Sequence, residues 1–220
     1  MKTKILLLLF IVIAGVSTLV ILKAHGMSVD KENNLGYAYY HGKGVPQDYA
    51  ESVYWLKKSA AQGYAVAEYN LGIAYYHGKG VPQDYSKAVY WWKKSAAQGN
   101  AMAEYNLGYA YYHGKGVPQD YAESVYWYKK SAIQGFARAE TNLGIAYYHG
   151  KSVPQSYSKA AYWWKKSAAQ GDTNAETNLG VAYYYGKGVP QDYSKAVYWL
   201  KKSAAQGNAT AEYSLSILEK

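Results

Sequence analysis

A block of 36 residues recurs along this chain without insertion or deletion. Its Asn-Leu-Gly opening (Ser-Leu-Ser in the last copy) stands at Asn34, Asn70, Asn106, Asn142, Asn178 and Ser214. A fixed period of this size describes stacked copies of one small unit, none of which buries its apolar face alone. Fold class follows from what one copy can form.

In the second copy Ala67, Leu71 and Tyr75 fall at i, i+4 and i+8 with Ala74 beside them, an apolar stripe of one helix. Gly72 lies next to Leu71, where a missing side chain lets a neighbour come close. Gly78 supplies a left-handed cap, and Pro82 cannot continue the helix. Asp84 is placed to cap a second helix; Asp48 with Glu51, and Asp120 with Glu123, have the spacing of a capping box. That helix is expected to turn Ala88, Trp91, Ser95 and Ala96 inward. Trp55, Trp91, Trp127, Trp163 and Trp199 then read as core, and Trp92 and Trp164 as a semi-exposed outer position shared with Leu56, Tyr128 and Leu200.

The expected architecture is all-α. Five antiparallel helix pairs occupy about 29–63, 64–99, 100–135, 136–171 and 172–207, and a capping helix lies within 208–220. Lys31 where later copies have Ala, and Ser216 where they have Gly, suit end units with one neighbour. Ala-Glu-Ser at 50–52 and 122–124 alternates with Ser-Lys-Ala at 86–88, 158–160 and 194–196, the trace of a duplicated two-unit block.

The pattern over 65–99, Ala-x-Ala-x-x-x-Leu-Gly-x-x-Tyr-x-x-Gly-x-Gly-Val-x-x-Asp-x-x-Lys-Ala-x-x-Trp-x-x-Lys-Ser-Ala-x-Gln-Gly, resembles the Sel1-like repeat, a tetratricopeptide-like α-solenoid module. The resemblance extends over about 29–218. It implies a right-handed superhelix whose first helices line the concave side. It also implies an adaptor for protein assemblies rather than a catalyst, with many bacterial members exported to contact host proteins or organise envelope machinery. A cysteine-rich branch of the family is linked to penicillin binding; this chain has no Cys, and nothing of that branch carries over.

The solenoid is expected to occupy 27–220, after a distinct segment at 1–26. Lys2 and Lys4 precede an apolar run over 5–22, the layout of an export signal. Ala24-His25-Gly26 would place a mature start at Met27. The run exceeds the usual signal core of roughly 7–15 residues, and about 17–25 suffice to span a bilayer, so a retained membrane anchor through 5–22 stands beside cleavage. Either way the chain is expected to be exported, periplasmic or secreted, or tethered to the inner membrane. The net charge of +9 (24 Lys+Arg minus 15 Asp+Glu) falls to +6 without Lys2, Lys4 and Lys23. That is too mild to demand nucleic acid.

On the side of the first helix opposite Leu71 the copies vary, and the variants are aromatic or aliphatic where a solvated face would be Lys- and Glu-rich. The partner-binding candidates are Tyr37, Tyr69, Ile73, Met102, Tyr105, Tyr109, Arg138 and Ile145. Tyr offers large contact area, little rotamer entropy and a polar tip. The constant Tyr40, Tyr76, Tyr112, Tyr148 and Tyr184 are assigned to packing between units ahead of binding. The expected partner is a protein or peptide held by a monomeric chain; glycan stacking on exposed Tyr and Trp is the alternative, and a β-lactamase-like hydrolase a remote one.

No cofactor or metal is expected. His41, His77, His113 and His149 are helix-end residues one solenoid step apart, and Tyr185 takes the fifth place. Gly78-Lys79-Gly80 is too short for a phosphate loop and stands at the wrong helix end. Glu68, Glu104, Glu140, Glu176 and Glu212 repeat without a facing partner legible in the sequence. The lysine pairs from Lys57-Lys58 to Lys201-Lys202 read as solvated helix ends with glutamates nearby, ahead of a ladder that attracts anionic lipid or acidic polymer. No nucleophile–base pair is evident, so the chain is expected not to be an enzyme.

Overall fold

The computed structural model describes residues 27–218. The expected signal or anchor over 1–26 lies outside the described residues. Eleven helices are present among them and no strand. Five pairs follow one another: α1 (Val29–His41) with α2 (Tyr49–Ala61), α3 (Ala65–His77) with α4 (Tyr85–Ala97), α5 (Ala101–His113) with α6 (Tyr121–Ile133), α7 (Ala137–His149) with α8 (Tyr157–Ala169), and α9 (Thr173–Tyr185) with α10 (Tyr193–Ala204). A last helix, α11 (Ala209–Leu218), closes the stack. Packing runs between chain neighbours, and the first helices α1 and α3, like α9 and α11, also touch directly.

The helix ends follow the sequence signals, with one correction. Gly42, Gly78, Gly114, Gly150 and Gly186 take the left-handed conformation after each first helix. Asp48 Oδ1 accepts the N–H groups of Ala50 and Glu51, and Asp84 Oδ1 that of Lys87. The reciprocal half of the capping box is replaced by a longer-range bond: the Asp48 and Asp120 N–H groups donate to the carbonyls of Tyr39 and Tyr111. Each N-cap is thereby tied to the last turn of the preceding helix.

Ala67, Leu71 and Ala74 are buried as expected, and Leu107, Leu143 and Leu179 repeat the first of these positions. The tryptophan assignment is largely reversed. Trp92 and Trp164 are 2% and 3% exposed, Tyr128, Leu56 and Leu200 are equally buried at the same register position, and Trp91, Trp127, Trp163 and Trp199 are only half-buried. Trp55 alone of its column is core. The cause is the glycine beside each buried leucine. A Cβ at Gly72 would overlap the Trp92 indole, and one at Gly108 would come within 2.6 Å of the Tyr128 ring. The small residue draws in the ring aimed at it, and the neighbouring Trp is left to cover the preceding unit's core.

A polar clasp locks every pair. Glu32, Glu68, Glu104, Glu140 and Glu176 are buried, and each meets the second lysine of the pair dismissed above as solvated: Lys58, Lys94, Lys130, Lys166 and Lys202, at 2.8–3.3 Å. The glutamine at the end of the second helix donates to the other carboxylate oxygen, as Gln98 does to Glu68 at 2.8 Å. A buried serine adds a third bond, Ser95 Oγ donating to the Ala65 carbonyl at 2.7 Å. The partners are thus 26 and 30 residues apart in sequence, which is why they were not legible there.

Candidate functional site

Seven of the eight partner-binding candidates line three clefts. Tyr37, Tyr69 and Ile73 border a cleft of about 260 Å³ with Tyr40, His41, Leu56 and Asn70. Tyr105, Tyr109 and Ile145 border the largest, about 500 Å³, between α5, α6 and α7. Tyr105 also borders a polar cleft of about 300 Å³ together with Arg138, Thr141, Asn142, Asp172 and Asn174. Met102 is exposed and lines none of the three.

The walls of the largest cleft come from residues that the sequence reading left out. Tyr112, Tyr121, Tyr128, Val125, Ser124, Asn142 and Lys151 join the candidates there, with His113 and His149 at the helix ends. Tyr105 lies 5.7 Å from Tyr128 and 5.2 Å from Phe136, ring to ring. Tyr112 faces Tyr121 edge-on at 5.3 Å, and Lys151 Nζ sits 3.6 Å from the Tyr121 ring centre while donating to the Tyr112 hydroxyl at 3.3 Å. Tyr112, one of the constant tyrosines, therefore both packs against its neighbours and lines the cleft.

The lysine of the Gly-Lys-Gly loop repeats this contact. Lys115 donates to the Tyr76 hydroxyl and Lys187 to the Tyr148 hydroxyl, both at 3.1 Å. These bonds to the preceding unit's phenol raise both lysines above the ordinary value.

At the cleft floor, burial pushes the phenols of Tyr105 and Tyr128 up, while the Asn142 amide beside both works the other way. Both phenols are neutral donors at physiological pH. Ser124 Oγ is buried next to the Tyr128 phenol and, like Asn142, works against the effect of burial there. His113 is held below its usual value by burial and then by Lys115 and Lys151. The site offers a large apolar wall, a few fixed polar groups and a cationic rim, the makings of a recognition pocket. Among the described residues no three His, Cys, Asp or Glu side chains gather as metal ligands, and no helix is long and apolar enough to cross a membrane.

Comparison with known proteins agrees with this architecture. The Sel1 repeat model matches five times, at residues 32–64, 65–100, 101–136, 137–172 and 173–208. A protective antigen of uropathogenic Escherichia coli strains with an SLR fold is 39% identical over 86% of the chain, with a TM-score of 0.81; the chain spans 41% of that protein. A Sel1 repeat protein from Oxalobacter formigenes is 37% identical, covering 84% of this chain and 75% of its own, with a TM-score of 0.79. An immunity protein from Pseudomonas aeruginosa, at 23% identity over 83% of this chain and 67% of its own, shares the fold with a TM-score of 0.54. No protein of curated function matches.

Proposed function

The chain belongs to the Sel1-repeat family, whose members commonly act as protein–protein interaction scaffolds, and on that premise we propose that it is an exported, non-catalytic scaffold holding a peptide or protein partner along the aromatic face of its first helices. One observation carries the reading: the residues chosen for variation and apolar character converge on three clefts instead of scattering over the surface. Direct contact of α1 with α3, and of α9 with α11, supports a placement of this face on the inside of the superhelix. The same reading has the chain act as a monomer on the far side of the inner membrane, secreted or tethered through 5–22.

A photo-crosslinking amino acid at position 109 of the full chain, in its native host, tests the reading. A single protein species should be captured, and Tyr105→Ala or Ile145→Ala should remove it while helix content stays unchanged. Capture that persists through both substitutions overturns the placement. Cell fractionation with N-terminal sequencing decides between a start at Met27 and an intact anchor.

A second reading has its own observation. Tyr54, Tyr90, Tyr126, Tyr162 and Tyr198 are 52–59% exposed, and each packs edge-on against the adjacent Trp at 5.0–5.1 Å. Such a ladder on the second helices would suit stacking on sugar rings, and a glycan array with the full chain would show it.

A further inference from the structure

Arg138 is the only arginine among the chain's 220 residues. It stands on the exposed side of α7, in the polar cleft, and makes no ion pair among the described residues. The one carboxylate bordering that cleft is already engaged: Asp172 Oδ1 accepts from the Thr141 hydroxyl at 3.0 Å and from the Ala175 N–H at 2.9 Å. Guanidinium differs from the ammonium used everywhere else on this surface in presenting a planar fork that matches a carboxylate.

The polar cleft is continuous with the apolar one, because Tyr105 and Asn142 line both. No Asp or Glu borders the apolar cleft, whereas Lys151 does. Its floor holds the buried Tyr128 ring with Ser124 beside it.

We propose that the two clefts form one bipartite receptor for a peptide carrying a bulky ring and, within a residue or two of it, a carboxylate: the ring enters among Tyr105, Tyr112, Tyr128 and Ile145, and the carboxylate meets Arg138. The shared Tyr105 wall sets the separation, since an extended chain advances only about 3.3–3.6 Å per residue. A small molecule confined to the apolar cleft would leave Arg138 idle. The carboxylate can belong to an Asp or Glu side chain or to a chain terminus. This inference rests on the peptide-scaffold reading and adds what the peptide must carry.

Fluorescence anisotropy on the full chain, with four labelled pentapeptides, provides the test. They are Gly-Ser-Gly-Ser-Phe with a free C-terminus, the same peptide amidated, amidated Gly-Ser-Gly-Phe-Asp, and Gly-Ser-Gly-Ser-Ala with a free C-terminus. At least one probe carrying both groups should bind about tenfold more tightly than the amidated Phe and the Ala probes. Whichever it is identifies the source of the carboxylate. Arg138→Lys should remove the advantage of the acid but keep that of the ring. Tyr128→Trp, which installs the side chain already accepted at positions 92 and 164, should remove the advantage of the ring. Equal affinity for all four probes, or an acid preference indifferent to Arg138→Lys, overturns the inference. If those probes fail while crosslinking at position 109 still depends on Tyr105, the scaffold reading stands without this receptor; if both fail, the scaffold reading falls as well.

Discussion

In the second and fourth units an indole fills the space beside the constant tyrosine, with Trp92 and Trp164 each 5.5 Å from Tyr76 and Tyr148. In the third unit Tyr128 takes that place and reaches towards Tyr105 instead. The backbone is the same, with 13-residue helices, glycine beside leucine and the same cap. Protein interiors are packed to the density of organic crystals, so removing one ring's volume at a fixed position leaves a cleft unless neighbours collapse. The two apolar clefts lie where this position is Tyr128 or Leu56. The third unit's cleft thus goes with a smaller ring at one core position and no change of fold, whereas Leu200 at that position of the fifth unit borders none of the three clefts.

The two tryptophan columns should differ most in what their truncation costs. Trp164→Ala should cost about 3–5 kcal/mol in urea unfolding, as large core truncations do. Trp163→Ala, at a half-exposed place, should cost clearly less, and equal losses would refute the core assignment. Next in size is the clasp. Lys130→Met leaves Glu104 buried with only Gln134 for company and should cost about 1–3 kcal/mol. Glu104→Gln frees Lys130, which is 40% exposed, to reach solvent and should cost less. The reverse order would show that the lysine, not the carboxylate, is the group held against its solvation. Tyr128→Trp sharpens the comparison at smaller cost: stability should change by less than about 1.5 kcal/mol, since the register accepts indole twice already, while partner capture at position 109 should fall away.

Much of this architecture can be read from the residues. The ladder from Asn34 to Ser214, the glycine caps and the Asp84-type N-caps place the helices, and a last helix, α11, follows the five pairs. What could not be read depends on contacts across the period. Glu68 finds Lys94 and Gln98 only once the pair has folded. Trp91 and Trp92 are neighbours with equal claims to the core, and the indole faced by Gly72 wins. The site was half legible. Variation on the first helix picked out Tyr105, Tyr109 and Arg138, whereas Tyr128 and Lys151 act from other elements. Position 128 does carry a signal, since it changes between Leu, Trp and Tyr across the copies, but in the sequence that pattern reads as a semi-exposed outer place.

The loop at the mouth of the cleft gives the smallest and most local contrast. Gly80, Gly116 and Gly188 bring their loops so near the preceding unit that a Cβ would overlap the carbonyls of Tyr49, Tyr85 and Tyr157. The fourth unit has Ser152 at this place, with φ of 58°, a conformation that costs a non-glycine residue roughly 1–2 kcal/mol. Its Cβ occupies the place where the other units have none, and both Tyr121 and the adjacent Lys151 border the large cleft. Ser152→Gly should relieve the backbone. Glycine also loosens the unfolded chain by about 0.4–1 kcal/mol, so the net gain should be below about 1 kcal/mol. The functional consequence is expected to have the opposite sign: a glycine there lets the loop approach the Tyr121 carbonyl as its equivalents approach theirs, so the cleft should narrow and peptide affinity should drop. A variant that is slightly more stable in thermal unfolding and weaker in the anisotropy assay would identify Ser152 as strain retained to hold the site open; affinity that rises or holds would return it to an incidental substitution.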